Sequence, residues 1–268
     1  MINKKTIVVC GDSFNYGIGC VNQRTQPYSV LTSKHFNWDL VRLARGSASN
    51  YVIYLQGKYA AKMDPKPHIV ILGTTSYDRI EWLATGESFE HFPPQLEDVN
   101  YHLYPPHHHL QPFHDTLLPF HLENNINYRP KILSEQMVAI PEYLHHAKTK
   151  GISLDYYKRL HTESADKLEL INNYYFNIFD SAIKRDYDIG VLLMAYRIIK
   201  NAGINCIICT EEKQFKTLVD DERDYFFPDW GRCTATWPDS AGTLHTGESG
   251  HEDIANRLIS HIELNNFI

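Results

Sequence analysis

Thr6-Ile7-Val8-Val9-Cys10-Gly11-Asp12-Ser13-Phe14 begins with an unbroken β-branched apolar run and ends it at a glycine and a short polar turn. A run that is apolar at every position reads as a strand covered on both faces, the pattern of a parallel sheet. The segments that follow repeat the theme. Pro27–Phe36 reads as a helix, Trp38–Ala44 as a second strand, and Ser49 as the cap of a helix through about Lys62. Asp64-Pro65-Lys66-Pro67 breaks that helix, and His68–Leu72 is a third strand stopping at Gly73. Strand and helix in alternation predict an α/β fold, a three-layer α/β/α sandwich around a flavodoxin-like parallel sheet of four or five strands.

After Arg79 the pattern dissolves for about eighty residues into a Pro-, His- and Tyr-rich stretch, too long for an ordinary connection. It reads as an insertion at about 79–160 within a single domain spanning 1–268. Helical spacing returns near Ser164, through Leu168, Ile171, Tyr175, Ile178 and Ile183, and runs to about Ala202. Ile204–Cys209 is then a fourth strand, Phe226-Phe227-Pro228-Asp229-Trp230 holds room for a short fifth, and a closing helix covers about Gly250 to His261.

Composition narrows the function classes. At 43% hydrophobic and 22% charged the chain is that of a globular protein, and a net charge of −6 gives no general attraction to nucleic acid or anionic lipid. Without an apolar stretch of spanning length or a signal-peptide core, the expectation is a cytoplasmic protein. Five cysteines in no framework spacing predict reduced thiols, and Cys206 and Cys209, though spaced C-x-x-C, fall inside a strand and read as core.

In a doubly wound sheet the residues just beyond the strands' carboxyl ends share one rim, where ligands bind. Here that rim carries Gly11-Asp12-Ser13-Phe14, Arg45-Gly46-Ser47-Ala48-Ser49-Asn50 and Gly73-Thr74-Thr75-Ser76-Tyr77-Asp78. Far downstream, Leu244-His245-Thr246-Gly247-Glu248-Ser249-Gly250-His251 returns an imidazole to the same edge. A serine hydroxyl needs a base to take its proton during attack, and histidine has the suitable pKa.

These four segments, in this order, resemble the blocks of the SGNH (GDSL-like) hydrolases, and their combination is similar to a leaderless subgroup encoded by tailed phages. The resemblance implies Ser13 as nucleophile and His245 as base, with the N–H groups of Ser13 and Gly46 as oxyanion donors. It also implies hydrolysis of a small acyl ester with no cofactor, an O-acetylated glycan being the leading substrate. Two positions depart from the family pattern. Thr75 stands where an asparagine usually completes the oxyanion hole, and Gly242 stands three residues before His245, where an aspartate is usual. The nearest upstream carboxylate is Asp239, the candidate to orient His245. The departures keep two other readings open, a non-catalytic glycan- or protein-binding descendant and an O-acyltransferase of the same fold.

Asn50, Arg79 and Glu81 lie on the rim as candidates for substrate binding, with a solvated Arg79–Glu81 pair the equal alternative. His107, His108 and His109, near His102, His114 and His121, invite a metal reading. Three adjacent histidines cannot all face one ion from a regular element, so no metal site is assigned.

Overall fold

The computed structural model describes residues 4–44, 48–77, 180–239 and 245–268. Among the described residues five strands form one sheet: β1 (Thr6–Cys10), β2 (Asp39–Arg42), β3 (Ile69–Gly73), β4 (Asn205–Cys209) and β5 (Tyr225–Phe226). Every pairing is parallel and the order is β2-β1-β3-β4-β5, the flavodoxin-like arrangement. The helices are α1 (Ser13–Tyr16), α2 (Tyr28–His35), α3 (Asn50–Lys62), α4 (Ser181–Asn201), α5 (Phe215–Leu218), α6 (Trp230–Thr236) and α7 (Glu248–Leu264).

The alternation of side chains along the central strands divides the core in two. Val8, Cys10, Val70, Leu72, Cys206 and Ile208 point to one face, where Ile53 and Ala60 of α3 and Leu192, Ala195 and Ile199 of α4 cover them. Ile7, Val9, Ile69, Ile71, Ile207 and Cys209 point to the other, under Tyr28 of α2 and Ile254, Ala255, Leu258 and Ile262 of α7. Helices therefore lie on both faces, and the three central strands are apolar at nearly every position because both faces are covered. Cys206 and Cys209 are buried free thiols of β4, as the strand reading requires.

The segment after β4 differs from expectation. The fifth strand is only Tyr225–Phe226, one residue earlier than the aromatic run suggests, and the polar-looking stretch after it folds as α6. The chain enters α6 through Asp229 in the left-handed region (φ 56°), with no side-chain cap to mark the start. The helix expected from Ser164 is described only from Asp180, whose carboxylate caps α4 by accepting from the N–H groups of Ala182 and Ile183. The insertion expected at about 79–160 lies outside the described residues. Among the described residues no helix is long and apolar enough to cross a membrane.

Because β1 lies between β2 and β3, the connections leaving its carboxyl end and that of β3 run to opposite sides and open a crevice between them. Ser13 follows β1 directly, and Thr75 follows β3.

Candidate active site

The end of β1 turns sharply at Gly11 (φ +148°) and delivers Asp12 as the cap of α1, so that Ser13 is the first residue of that short helix. Asp12 is a crowded acceptor. Its Oδ1 accepts from the Phe14 N–H (3.1 Å) and the Asn15 amide (3.0 Å), and its Oδ2 from the Thr75 hydroxyl (2.7 Å). Ser13 is 4% exposed, and its N–H, an unused donor of a first helical turn, has no acceptor among the described residues.

His245 arrives from the other end of the chain. Its Nε2 lies 2.8 Å from Ser13 Oγ, so with that nitrogen unprotonated the serine hydroxyl donates to it. Two contacts hold the imidazole there. The Phe14 ring packs on it, centroids 4.6 Å apart, and Trp230 backs Phe14 at 5.1 Å. From the opposite side the backbone at Gly19 presses on the loop. A Cβ built on Gly19 would stand 2.3 Å from the Thr246 carbonyl oxygen and 2.9 Å from the His245 Cβ, and φ there is +105°. Only glycine fits that contact.

Asp239 is buried, and a short antiparallel bridge brings it beside the base. Pro238 pairs with Thr246, the Asp239 N–H donates to the His245 carbonyl (3.0 Å), and the Gly247 N–H donates to the Trp237 carbonyl (2.7 Å). This register sets Asp239 directly opposite His245. Residues so placed share a face with Cβ atoms about 4.5–5.5 Å apart, within reach of a carboxylate and the Nδ1 of an imidazole.

The remaining candidates fare differently. Thr75 sits on the rim, but its hydroxyl proton is given to Asp12 and its N–H to Asn50 Oδ1 (3.0 Å), so neither is offered to a substrate oxygen in this arrangement. Asn50 is fully buried. Its amide donates to the Thr75 carbonyl (3.1 Å) and to Asp188 Oδ2 (2.9 Å), which turns it inward, away from the substrate-binding role read from its place on the rim. Gly46, Arg79 and Glu81, and the histidines from His102 to His121, lie outside the described residues. Among the described residues no group of three or more His, Cys, Asp or Glu side chains is placed to hold a metal.

Asn15 is the residue that sequence reasoning passed over. It is fully buried in a slot between the ends of β1 and β3, where a Cβ on Gly11 or Gly73 would come within 2.2–2.5 Å of its side chain. From the slot it donates to Asp12 and accepts from the Tyr28 hydroxyl (2.9 Å). Burial raises the Tyr28 phenol well above its ordinary range, so the hydroxyl stays a donor. The available signal was the glycine at the end of each strand, which marks close approach by another group.

His251, one turn into α7, lies fully buried beneath the site with its ring parallel to Tyr28 (centroids 6.1 Å) and its Nδ1 facing the Tyr28 N–H at 3.4 Å. Burial, and secondarily the neighbouring His245, push its pKa down from 6.5 to about 4. A histidine depressed in the folded state gives stability that is complete above its unfolded pKa and lost as pH falls through the folded one. Between pH 7 and pH 5 the protein is expected to lose about 2 kcal/mol on this account. His251→Gln, which keeps an acceptor and does not titrate, should flatten that interval in urea unfolding; an unchanged difference between the two pH values would assign the loss to other groups.

No protein-family model, no curated protein and no solved structure matches the chain.

Proposed function

We propose that the protein is a serine ester hydrolase of the SGNH type, with Ser13 as nucleophile and His245 as base. The observation that carries this reading is the 2.8 Å approach of His245 Nε2 to Ser13 Oγ by residues 232 positions apart, at the carboxyl rim of a parallel sheet. Ser13 Oγ attacks the ester carbonyl carbon while His245 takes the hydroxyl proton. The N–H of Ser13, with that at Gly46, receives the developing oxyanion. His245 returns the proton to the departing alkoxide, and the acyl group stays on Ser13. Water then attacks with His245 again as base, releasing a carboxylic acid and the free serine. No step calls for a cofactor. The family resemblance favours a small acyl group, with an O-acetylated glycan as leading substrate class.

A second reading, a binding protein that keeps the cleft without the chemistry, draws on one observation: the Thr75 hydroxyl is engaged by Asp12. Covalent labelling separates the two. A fluorophosphonate should modify Ser13 and no other residue, identified by peptide mapping, with or without a chelator present. Ser13→Ala, with unfolding like the parent's, should take no label. No modification, or modification elsewhere, would overturn the hydrolase reading. Labelling abolished by the chelator would move the chemistry to a metal.

A further inference from the structure

A line of buried and part-buried hydrogen bonds enters the nucleophile turn from the far side of the sheet. Asp188, on the second turn of α4 and fully buried, accepts from the Lys184 ammonium through one oxygen and from the Asn50 amide (2.9 Å) through the other. Asn50, at the start of α3, grips both backbone groups of Thr75, N–H (3.0 Å) and carbonyl (3.1 Å), as a second strand would. Thr75 then donates its hydroxyl to Asp12 (2.7 Å), and Asp12 caps the turn that aims Ser13. Both N–H donors of the Asn50 amide are spent inside the protein, on Thr75 and Asp188, and its oxygen accepts from Thr75.

We infer that Asp188 and Asn50 are positioning residues for the nucleophile: they hold Thr75, and through Thr75 and Asp12 the turn carrying Ser13, in the geometry that reaches His245. The inference rests on the hydrolase reading of that pair. Its physical basis is the cost of each break. Removing the Asp188 carboxylate takes the partner from the buried Asn50 donor and from the part-buried Lys184 ammonium, and the cheapest relief is a shift of the Thr75 loop. A carboxylate is a costly way to hold an amide when an apolar contact would join α3 and α4 equally well, as Ala195 and Ile199 against Gly57 already do.

The rate constant for fluorophosphonate labelling of Ser13, measured on the full chain well below the unfolding midpoint, tests the inference. Asp188→Ala should slow labelling roughly 10²-fold, the scale of a displacement near 1 Å at a reacting group. Asp188→Asn should restore most of the rate, because an amide oxygen still accepts from Asn50. Asn50→Ala, which leaves the charge pair in place, should lose as much as Asp188→Ala and serves if that variant does not fold. Folded Asp188→Ala or Asn50→Ala labelling at the parental rate would make these residues packing groups only and overturn the inference, while leaving the hydrolase reading intact. If the parent itself takes no label, the hydrolase reading falls, and the line of bonds is tested through stability. Midpoint shifts of Asp188→Ala and Thr75→Val in urea should then fail to add, since Asn50 ties the Asp188 carboxylate to the backbone of Thr75, which in turn places the Thr75 hydroxyl on Asp12. Additive shifts would overturn it.

Discussion

Asp239→Asn is expected to lower the turnover of a small aryl acetate by about 10⁴, as the corresponding change does in a serine protease, with KM nearly unchanged. The expectation comes from register. With Pro238 bridged to Thr246, Asp239 faces His245 across a hydrogen-bonded pair, while Nε2 of the same imidazole is occupied by Ser13. The nitrogen left for Asp239 is Nδ1, and a carboxylate there selects the tautomer that keeps Nε2 unprotonated and stabilises the imidazolium formed in the transition state. An asparagine can present an N–H to Nδ1 and so favour the wrong tautomer. Because the loss arises only where charge develops, it appears in kcat. His245→Ala should be at least as severe. If Asp239→Asn stays within a few-fold of the parent while His245→Ala fails, a backbone carbonyl orients the ring and the site is a Ser–His dyad. Both variants keeping activity would remove the histidine loop from the mechanism.

The second large effect concerns stability. Gly73→Ala places a methyl within 2.2–2.3 Å of the Asn15 side-chain atoms, at the buried end of a central strand. Asn15 has no room to yield, because Gly11 walls the other side of its slot. Overpacking of this kind typically costs about 1–3 kcal/mol. Expelling the amide adds about 1–3 kcal/mol for the buried Tyr28 hydroxyl left unsatisfied, while Asp12 Oδ1 keeps the Phe14 N–H. A total on the order of 4 kcal/mol is a large part of a domain's stability, so the variant should unfold at much lower urea and accumulate poorly. The double variant Asn15→Gly with Gly73→Ala should recover part of the loss, which locates the damage in the slot. Equal instability of the double and single variants would point instead to strain in β3.

The sheet was legible because its central strands announce themselves. β1, β3 and β4 are apolar at nearly every position, a pattern that only two-sided burial explains. The edges were less legible for the same reason. β5 is two residues long, and α6 is only seven residues long with no capping side chain at its left-handed entry. At the candidate site the fold brings Ser13 and His245 to 2.8 Å, and the pair was readable from the family resemblance. Their supports were not. Asn15 matters only because two strand ends from different parts of the chain form its slot, and Asp188 only because α4 packs against α3 to meet Asn50, 138 positions away in sequence. Asn50 shows the limit in reverse. Its place on the rim was readable, but the direction of its amide depends on Thr75 and Asp188, partners that no local pattern identifies.

Tyr77 and the start of α4 are fastened to one carboxylate: Glu212 accepts from the Tyr77 hydroxyl (3.4 Å) and from Nε and an outer nitrogen of Arg185 (3.2 and 2.8 Å). Glu212, just past β4, thus acts as a clasp between the chain leaving β3 and the early turns of α4, so that stretches far apart in sequence keep one spacing at the rim through a single side chain.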